Sequence, residues 1–437
     1  MTDRSVERSL DCRAPLSCGS FVFPGLAGFV ARICQAQGCA DARHLAPVAV
    51  AVSGGGDSLA ALRILAARMP VVAVTVNHGL RAAAADEAAF VAREAASLGV
   101  DHHTLHWHRP DASGNLMDQA RRGRLSLIAQ WASARGIADV VLGHTADDQA
   151  ETFVMRLARA SGVGGLSGMR RHWRERGVTW HRPFLDTPRE TLRDVLRANG
   201  ARWIDDPSND DPAYSRVRVR QAAPMLAELG LDRAALTRVV DHLAAADHAI
   251  STALRGYVTR YVRLDRGDVL VEANGLDTDL QGEFRRRLFG AALQWVSGAD
   301  YAPRGPKLDD LCATYDARPA RTLHGVQISF RDGILRFARE YRAVARRPAA
   351  QGLIWDRWAM RPPQGQGAGG ADLRALGPEG LAHCPQWRDT GLPRASLMAS
   401  PAVWHGDALI SAPLAGISRG WHAEITTQSF DTMLFTR

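Results

Sequence analysis

The sequence predicts an α/β fold: a doubly wound, parallel five-stranded sheet, followed by a helical second domain and a small β-containing C-terminal domain. Three observations predict it. Between about residues 45 and 225, short runs of Val and Ala alternate with helix-like stretches. Apolar strands without polar alternation are buried on both faces, as in a parallel sheet covered by helices. The run Ser53-Gly54-Gly55-Gly56-Asp57-Ser58 separates the first such strand from a helix-like stretch, Leu59 to Arg68. After Pro224 the character changes to alanine- and leucine-rich helical sequence, Leu226 to Arg260, and then to a mixed segment ending near Tyr341.

Taken in order, residues 1–44 read as a leader and an amphipathic helix, with Phe21, Phe23, Leu26, Phe29, Val30 and Ile33 near helical spacing. Strands are expected near 46–52, 71–76, 100–107, 138–143 and 178–182, in the spatial order 3-2-1-4-5. That order sets the first strand beside the fourth, so the glycine run and Gly143-His144 face one crevice at the carboxyl ends of the strands. The expected domains are 1–225, 226–341 and 346–437, with Arg346 to Gly370 as an exposed connection rich in Pro and Gly. A chain of 437 residues suits two or three cores of about 150 residues each.

The formal charge of +8 and pI of about 9.6 point to a polyanionic partner. Lys307 is the only lysine, so nearly all of that charge is arginine, whose planar fork grips phosphate and stacks on bases. Six scattered cysteines form no Cys-x-x-Cys pair, which argues against a zinc site or a disulfide framework. The apolar stretch Phe21 to Ile33 contains Arg32 and is too short to span a bilayer, so a cytoplasmic protein without membrane partners is expected.

Two segments carry the chemistry. Three successive glycines let backbone N–H groups turn inward, and the following helix adds its positive end, so a pyrophosphate is held without a side-chain cation; Ser53 and Ser58 add hydroxyl donors. The Gly-Lys-Ser/Thr ending of a Walker A loop and the Gly-x-Gly-x-x-Gly of a dinucleotide fold are both missing. In Gly143-His144-Thr145-Ala146-Asp147-Asp148-Gln149-Ala150-Glu151-Thr152, acids cluster where a strand gives way to a helix. Asp148 and Glu151 share a helix face at i,i+3, and Asp147 and Glu151 at i,i+4. Acids at a helix start are also good caps, but capping alone does not call for so many. Beside a nucleotide loop, spare carboxylates suit magnesium or a cationic substrate.

The glycine run has the Ser-Gly-Gly-x-Asp-Ser form of the PP-loop ATP pyrophosphatases, which cleave ATP to AMP and pyrophosphate. With His78-x-Leu80-Arg81, Ala120-Arg121-x-x-Arg124, Gly143-His144-x-x-Asp147-Asp148-x-x-Glu151-Thr152 and Asp205-Asp206-Pro207-Ser208-Asn209, residues 45–225 resemble the tRNA(Ile)-lysidine synthetase family. The resemblance implies a two-step ligation on the wobble cytidine of a tRNA(Ile) with a CAU anticodon. ATP adenylates the C2 oxygen, and free L-lysine then displaces AMP. It further implies Ser53, Gly54, Gly55, Gly56, Asp57 and Ser58 on ATP, with Asp57 helping Mg2+ or the reacting phosphate. Arg121 and Arg124 would neutralise charge at phosphorus, with His144 and Asp148 beside them in the catalytic set. His78, Arg81, Asp147, Glu151, Arg216 and Arg220 would contact substrate. The second and third domains would bind the tRNA outside its anticodon, and a homodimer is left open. Leu125 stands where the family has tyrosine, and Val217 where it has asparagine.

A PP-loop tRNA thiolase is the enzymatic alternative, although Cys34 and Cys39 precede the first strand and fall in no catalytic motif. A nucleotide-binding RNA module without catalysis is the other alternative, against which the acids in both loops argue. His102, His103, His106 and His108 lack a fixed cysteine or carboxylate partner and are assigned no role. Trp173, Trp180 and Trp203, among Arg170, Arg171, Arg174 and Arg176, offer a base-stacking surface or ordinary core packing.

Overall fold

The computed structural model describes residues 17–18, 21–79, 84–108, 116–205, 211–276, 282–303, 305–317, 320–348, 350–351, 353–364, 372–427 and 429–435. The chain forms two compact units, 1–247 and 248–437.

The first unit opens with a short ladder, β1 (Ser17–Cys18) and β2 (Phe21–Val22), and then α1 (Pro24–Gln37). Pro24 starts α1, where the missing N–H costs nothing, and Gly38 ends it in the left-handed region at φ 63°. There follow β3 (Val48–Ala51), α2 (Gly56–Ala66), β4 (Val71–Asn77), α3 (Ala84–Ser97), β5 (His102–His106), α4 (Leu116–Ala134), β6 (Asp139–Leu142), α5 (Ala146–Leu157) and α6 (Val163–Leu166). The unit continues through β7 (His172–Glu175), β8 (Val178–His181), α7 (Arg189–Ala198), α8 (Ser215–Glu228) and the start of α9 (Arg233–Tyr261).

The sheet runs β5-β4-β3-β6-β8-β7. Its first five strands are parallel and reproduce the expected 3-2-1-4-5 order, so β3 pairs with β6 through Ala49↔Val140 and Val50↔Val141. The sixth strand, β7, is antiparallel to β8. It was not expected from the sequence, because His172-Trp173-Arg174-Glu175 is a polar, largely exposed edge strand. Its signal is the two-residue turn Arg176-Gly177, both at positive φ (56° and 83°), the geometry that matches hairpin twist.

Side chains alternate between the two faces of β3. Val48 and Val50 join Leu26, Ile33, Leu59, Leu62, Val91, Leu192 and Leu196 in the core under α1, α2, α3 and α7. Ala49 joins Val74, Ile128, Ala132, Val140 and Trp180 under α4. Both faces of the sheet are therefore covered. A third cluster, Ala150, Phe153, Leu236 and Val240, binds α5 to the first turns of α9. This packing carries the first unit past residue 225, where the sequence suggested a boundary, to Asp247 within α9.

The second unit adds an antiparallel sheet to the expected helices. Its strands are β9 (Val262–Asp265), β10 (Asp268–Glu272), β11 (Ala320–Leu323), β12 (Val326–Arg331) and β13 (Ile334–Arg339), in the order β11-β12-β13-β10-β9. Its core includes Val269, Val271 and Phe337 with Leu288, Phe289 and Leu293 of α10 (Glu283–Ser297). Two smaller sheets lie within residues 350–425. Two strands, Ile354–Trp355 and Trp358–Arg361, fall inside the stretch expected to be an exposed connection, and Trp355 and Met360 are buried. Alternation of apolar with polar residues had more weight there than the prolines around it.

Candidate active site

The loop after β3 is held by its own serines. Ser58 Oγ accepts from Ser53 N at 3.1 Å, lies 3.2 Å from Ser53 Oγ and donates to the Gly55 carbonyl at 3.0 Å. Gly54 has φ 89°, and a Cβ there would meet Ile204 Cδ1 at 2.7 Å, so glycine is needed twice over. Ile204 N donates to the Gly54 carbonyl at 3.0 Å, which ties the loop to the Trp203-Ile204-Asp205 segment. Gly56 is the first residue of α2, so the N–H groups of that turn face the crevice with the helix dipole behind them.

The β6 end lies directly against this loop. A Cβ on Gly143 would come within 2.9 Å of Ser58 Cα and 3.0 Å of the Asp57 carbonyl. That close approach brings the two motifs, which are far apart in sequence, to one crevice. Thr145 caps α5: its hydroxyl accepts from Asp148 N at 3.4 Å, while Asp148 Oδ2 accepts from Thr145 N at 2.9 Å. One Asp148 oxygen thus caps the helix, and the other, Oδ1, faces Arg189. The capping reading of this acid is realised, and capping leaves its second oxygen turned toward the crevice.

Arg189 joins the two loops. Its guanidinium donates to Asp57 Oδ2 at 3.0 Å, Asp148 Oδ1 at 3.1 Å and Glu151 Oε1 at 3.2 Å, and its backbone N–H donates to Asp147 Oδ2 at 2.7 Å. Arg220 Nε reaches Glu151 Oε1 at 3.0 Å, Arg216 Nε lies 3.3 Å from Glu151 Oε2, and Arg233 is 3.4 Å from Asp147. Burial raises the Asp57 carboxyl above its usual range despite Arg189. Asp148 faces the same burial penalty, but Arg189, Arg216 and the Thr145 backbone bond outweigh it and hold its carboxyl below the usual range. Asp57 Oδ1 is buried and has no hydrogen-bond partner among the described residues.

The opposite wall is cationic. Arg182 Nε donates to His144 Nδ1 at 3.0 Å, and its NH1 donates to the Arg170 carbonyl at 2.9 Å. Its guanidinium stacks 4.0 Å from the Trp173 ring centroid, and Trp173 in turn stacks on Trp180. Burial, reinforced by Arg182, pushes the His144 imidazole down to about 3. Burial, with the charges of Arg121 and Arg156, also lowers Arg182 to about 9. Burial and then Arg124 lower His78, which packs edge-on to Trp107 at 5.7 Å. Trp107 also leans on Gly123 of α4, where a Cβ would clash.

Of the residues singled out from sequence, Asp57, His144, Asp147, Asp148, Glu151, Arg216 and Arg220 are brought together. Arg124 is half-buried, Arg121 is exposed on α4, and Arg81 and the run 206–210 lie outside the described residues. Leu125 packs against the core cluster beneath α4, and Val217 is buried in α8, so both departures from the family pattern are apolar packing positions. Arg182 and Arg189 were missed. The carboxyl end of the fifth strand opens on the same crevice, which points to Arg182. Arg189 begins α7, an unfavourable place for a cation unless acids stand opposite.

Helix α5 also holds the segment that follows it. Gln149 clasps the Met169 backbone in both directions, at 2.7 and 3.2 Å, and Arg156 donates to the Gly165 and Gly168 carbonyls at 2.6 and 2.9 Å. Beside its acids a groove runs between α5 and α8, lined by Val154, Val219 and Leu226, with Glu151, Arg189 and Arg220 at the polar end. Among the described residues no group of three or more His, Cys, Asp or Glu is arranged to hold a metal ion, and no helix is long and apolar enough to cross a membrane. Among the described residues, Cys34 lies in the core under α1, Cys39 Sγ donates to the Asp41 carbonyl, and burial pushes the Cys312 thiol up to about 12.

A glycine cradle at a helix N-terminus, opposed by an acid-bearing helix start, defines an ATP-using PP-loop protein, and residues 30–226 match the PP-loop domain family. The chain is 43% identical to the tRNA(Ile)-lysidine synthase of Ruegeria pomeroyi over 87% of its length and 92% of the relative's. It is 41% identical to that of Bradyrhizobium diazoefficiens over 63% of its length and 80% of the relative's, and 33% identical to that of Anaplasma marginale over 71% and 69%. The chain belongs to the tRNA(Ile)-lysidine synthase family.

Proposed function

We propose that the chain converts the wobble cytidine of a tRNA(Ile) bearing a CAU anticodon to lysidine, using ATP and free L-lysine in the cytoplasm. The supporting observation is the single crevice in which the glycine loop and the acids of α5 meet through Arg189 and the Gly143 contact. A cytosine carbonyl oxygen is a poor leaving group. Its attack on the α-phosphorus of ATP releases pyrophosphate and leaves a C2–O–AMP bond. The lysine amine then forms the C2–N bond as the C2–O bond breaks, and AMP departs with the electron pair.

The first step draws on Gly54, Gly55 and Gly56 at the α2 N-terminus, with Ser53 and Ser58, to hold phosphates. Arg121 and Arg124 supply positive charge for the phosphorus centre. The amine is received by Asp148 and Glu151, and its methylene chain fits the Val154, Val219 and Leu226 side of the groove. Mg2+ suits the unpartnered Asp57 Oδ1, since this ion is commonly held by one or two carboxylates plus substrate phosphates. There it would neutralise charge on the phosphates. The arginine-rich surface and the second unit serve tRNA binding.

The test is incubation of the full chain with ATP, radiolabelled lysine and unmodified tRNA(Ile). Label in tRNA with matching AMP release is expected. AMP release without label, or with a sulfur requirement, refutes the reading.

A further inference from the structure

We propose that Arg182 is a positioning residue that locks His144 as the neutral Nε2–H tautomer, so that His144 serves as a hydrogen-bond donor to a phosphoryl oxygen of the bound nucleotide and not as a proton acceptor. A guanidinium has only donors. Its Nε lies 3.0 Å from His144 Nδ1, so Nδ1 is the accepting atom and the ring proton of the neutral imidazole sits on Nε2. Arg182 is not free to let go. It is 6% exposed, its NH1 is tied to the Arg170 carbonyl at 2.9 Å, and its guanidinium carbon lies 4.0 Å from the centroid of the Trp173 ring, which stacks on Trp180 at 5.7 Å.

The surroundings keep the ring neutral: burial first, then the charges of Arg182, Arg124 and Arg216, disfavour the imidazolium, and Asp148 alone favours it. With Nδ1 occupied, the ring has no lone pair left for an incoming amine. Nε2–H is the single polar atom that remains to it. His144 directly follows Gly143, whose backbone abuts Asp57 and Ser58 at the start of α2, and this is the place of the phosphates in the function proposed above. A neutral N–H donor set among cations suits an oxygen that gains negative charge as pyrophosphate leaves, and it moves no proton at neutral pH.

The first measurement is a long-range 1H–15N spectrum of the full chain labelled at histidine, with His144 assigned from the spectrum of His144→Gln. A pyridine-type Nδ1 and a pyrrole-type Nε2, unchanged between pH 5 and 9, are expected. A pyrrole-type Nδ1, or a ring that titrates within that range, overturns the proposal whatever the variants do. Addition of a non-hydrolysable ATP analogue should shift the Nε2 proton resonance, and no shift refutes the phosphoryl contact.

Arg182→Met should release the ring to a mixed or titrating tautomer and lower kcat for AMP formation about 10- to 100-fold, with KM for ATP changing less. Arg182→Lys, which keeps one donor, should restore part of both. A variant with the locked tautomer intact refutes the role of Arg182. The tautomer is read without turnover, so failure of lysidine formation and failure of this inference are told apart.

Discussion

Replacing Arg189 by methionine tests the bridge between the two loops. The cluster holds three carboxylates, Asp57, Asp148 and Glu151, against three guanidiniums, Arg189, Arg216 and Arg220. The substitution removes three contacts of 3.0–3.2 Å among side chains that are only 8–24% exposed. Stripping one partner from a buried ion pair costs about 3–5 kcal/mol. The lower figure, about 3 kcal/mol, applies because Arg216 and Arg220 still face Asp148 and Glu151. For a unit of this size that corresponds to a fall in Tm of about 6–12 °C, at about 2–4 °C per kcal/mol.

The deficit depends on pH with a definite sign. Without the guanidinium, Asp57 rises further and Asp148 loses its downward pull, so the cost resides in the ionised forms. Protonation relieves it, and the gap in Tm between wild type and variant should narrow as pH falls through the carboxylate range. Calorimetric scans of the full chain at pH 7.5, 5.5 and 4.5 measure this. A shift below about 1 °C at pH 7.5 refutes the bridge, and a deficit that stays constant with pH shows the loss to be packing instead of charge.

Gly143→Ala should cost about 1–3 kcal/mol and weaken ATP binding, since its Cβ has only backbone atoms of Asp57 and Ser58 to displace; calorimetric titration with the nucleotide reads it, and unchanged affinity refutes the shared crevice. His144, held at about 3 against 6.5 in the unfolded chain, contributes stability that is fully present above pH 6.5 and is lost as pH falls toward 3. Unfolding free energies from urea titration should therefore drop in wild type by up to about 1.4 kcal/mol per pH unit below 6.5 relative to His144→Gln, and parallel pH profiles refute the assignment. Asp57→Ala should abolish AMP formation while tRNA affinity by filter binding stays within about 3-fold, equivalent to about 0.7 kcal/mol. Neutralising Arg171, Arg174 and Arg176 together should lower tRNA affinity and flatten its salt dependence, and an unchanged slope refutes phosphate contact there.

The five parallel strands and their order were legible because buried Val and Ala runs and the glycine loop leave few alternatives. The polar edge strand β7 was not, since its side chains face water and carry no apolar alternation. The acids of α5 were legible from spacing, as was their facing of the glycine loop. Their counter-ion was not: Arg189 stands 132 residues from Asp57, and a lone arginine in an arginine-rich chain has no local mark beyond its place at a helix start. The same holds for Arg182, whose partner His144 is set by strand order alone. Leu125 and Val217, which replace the family's tyrosine and asparagine, fill apolar space.

Because Gln149 and Arg156 anchor residues 165–169 to the helix whose other flank bears Asp148 and Glu151, the acids and that loop are carried on one lever. A tilt of α5 moves both. Changes at Gln149 or Arg156, whose bonds to residues 165–169 fix this linkage, should accordingly behave in a mutational screen as lesions of the chemistry itself.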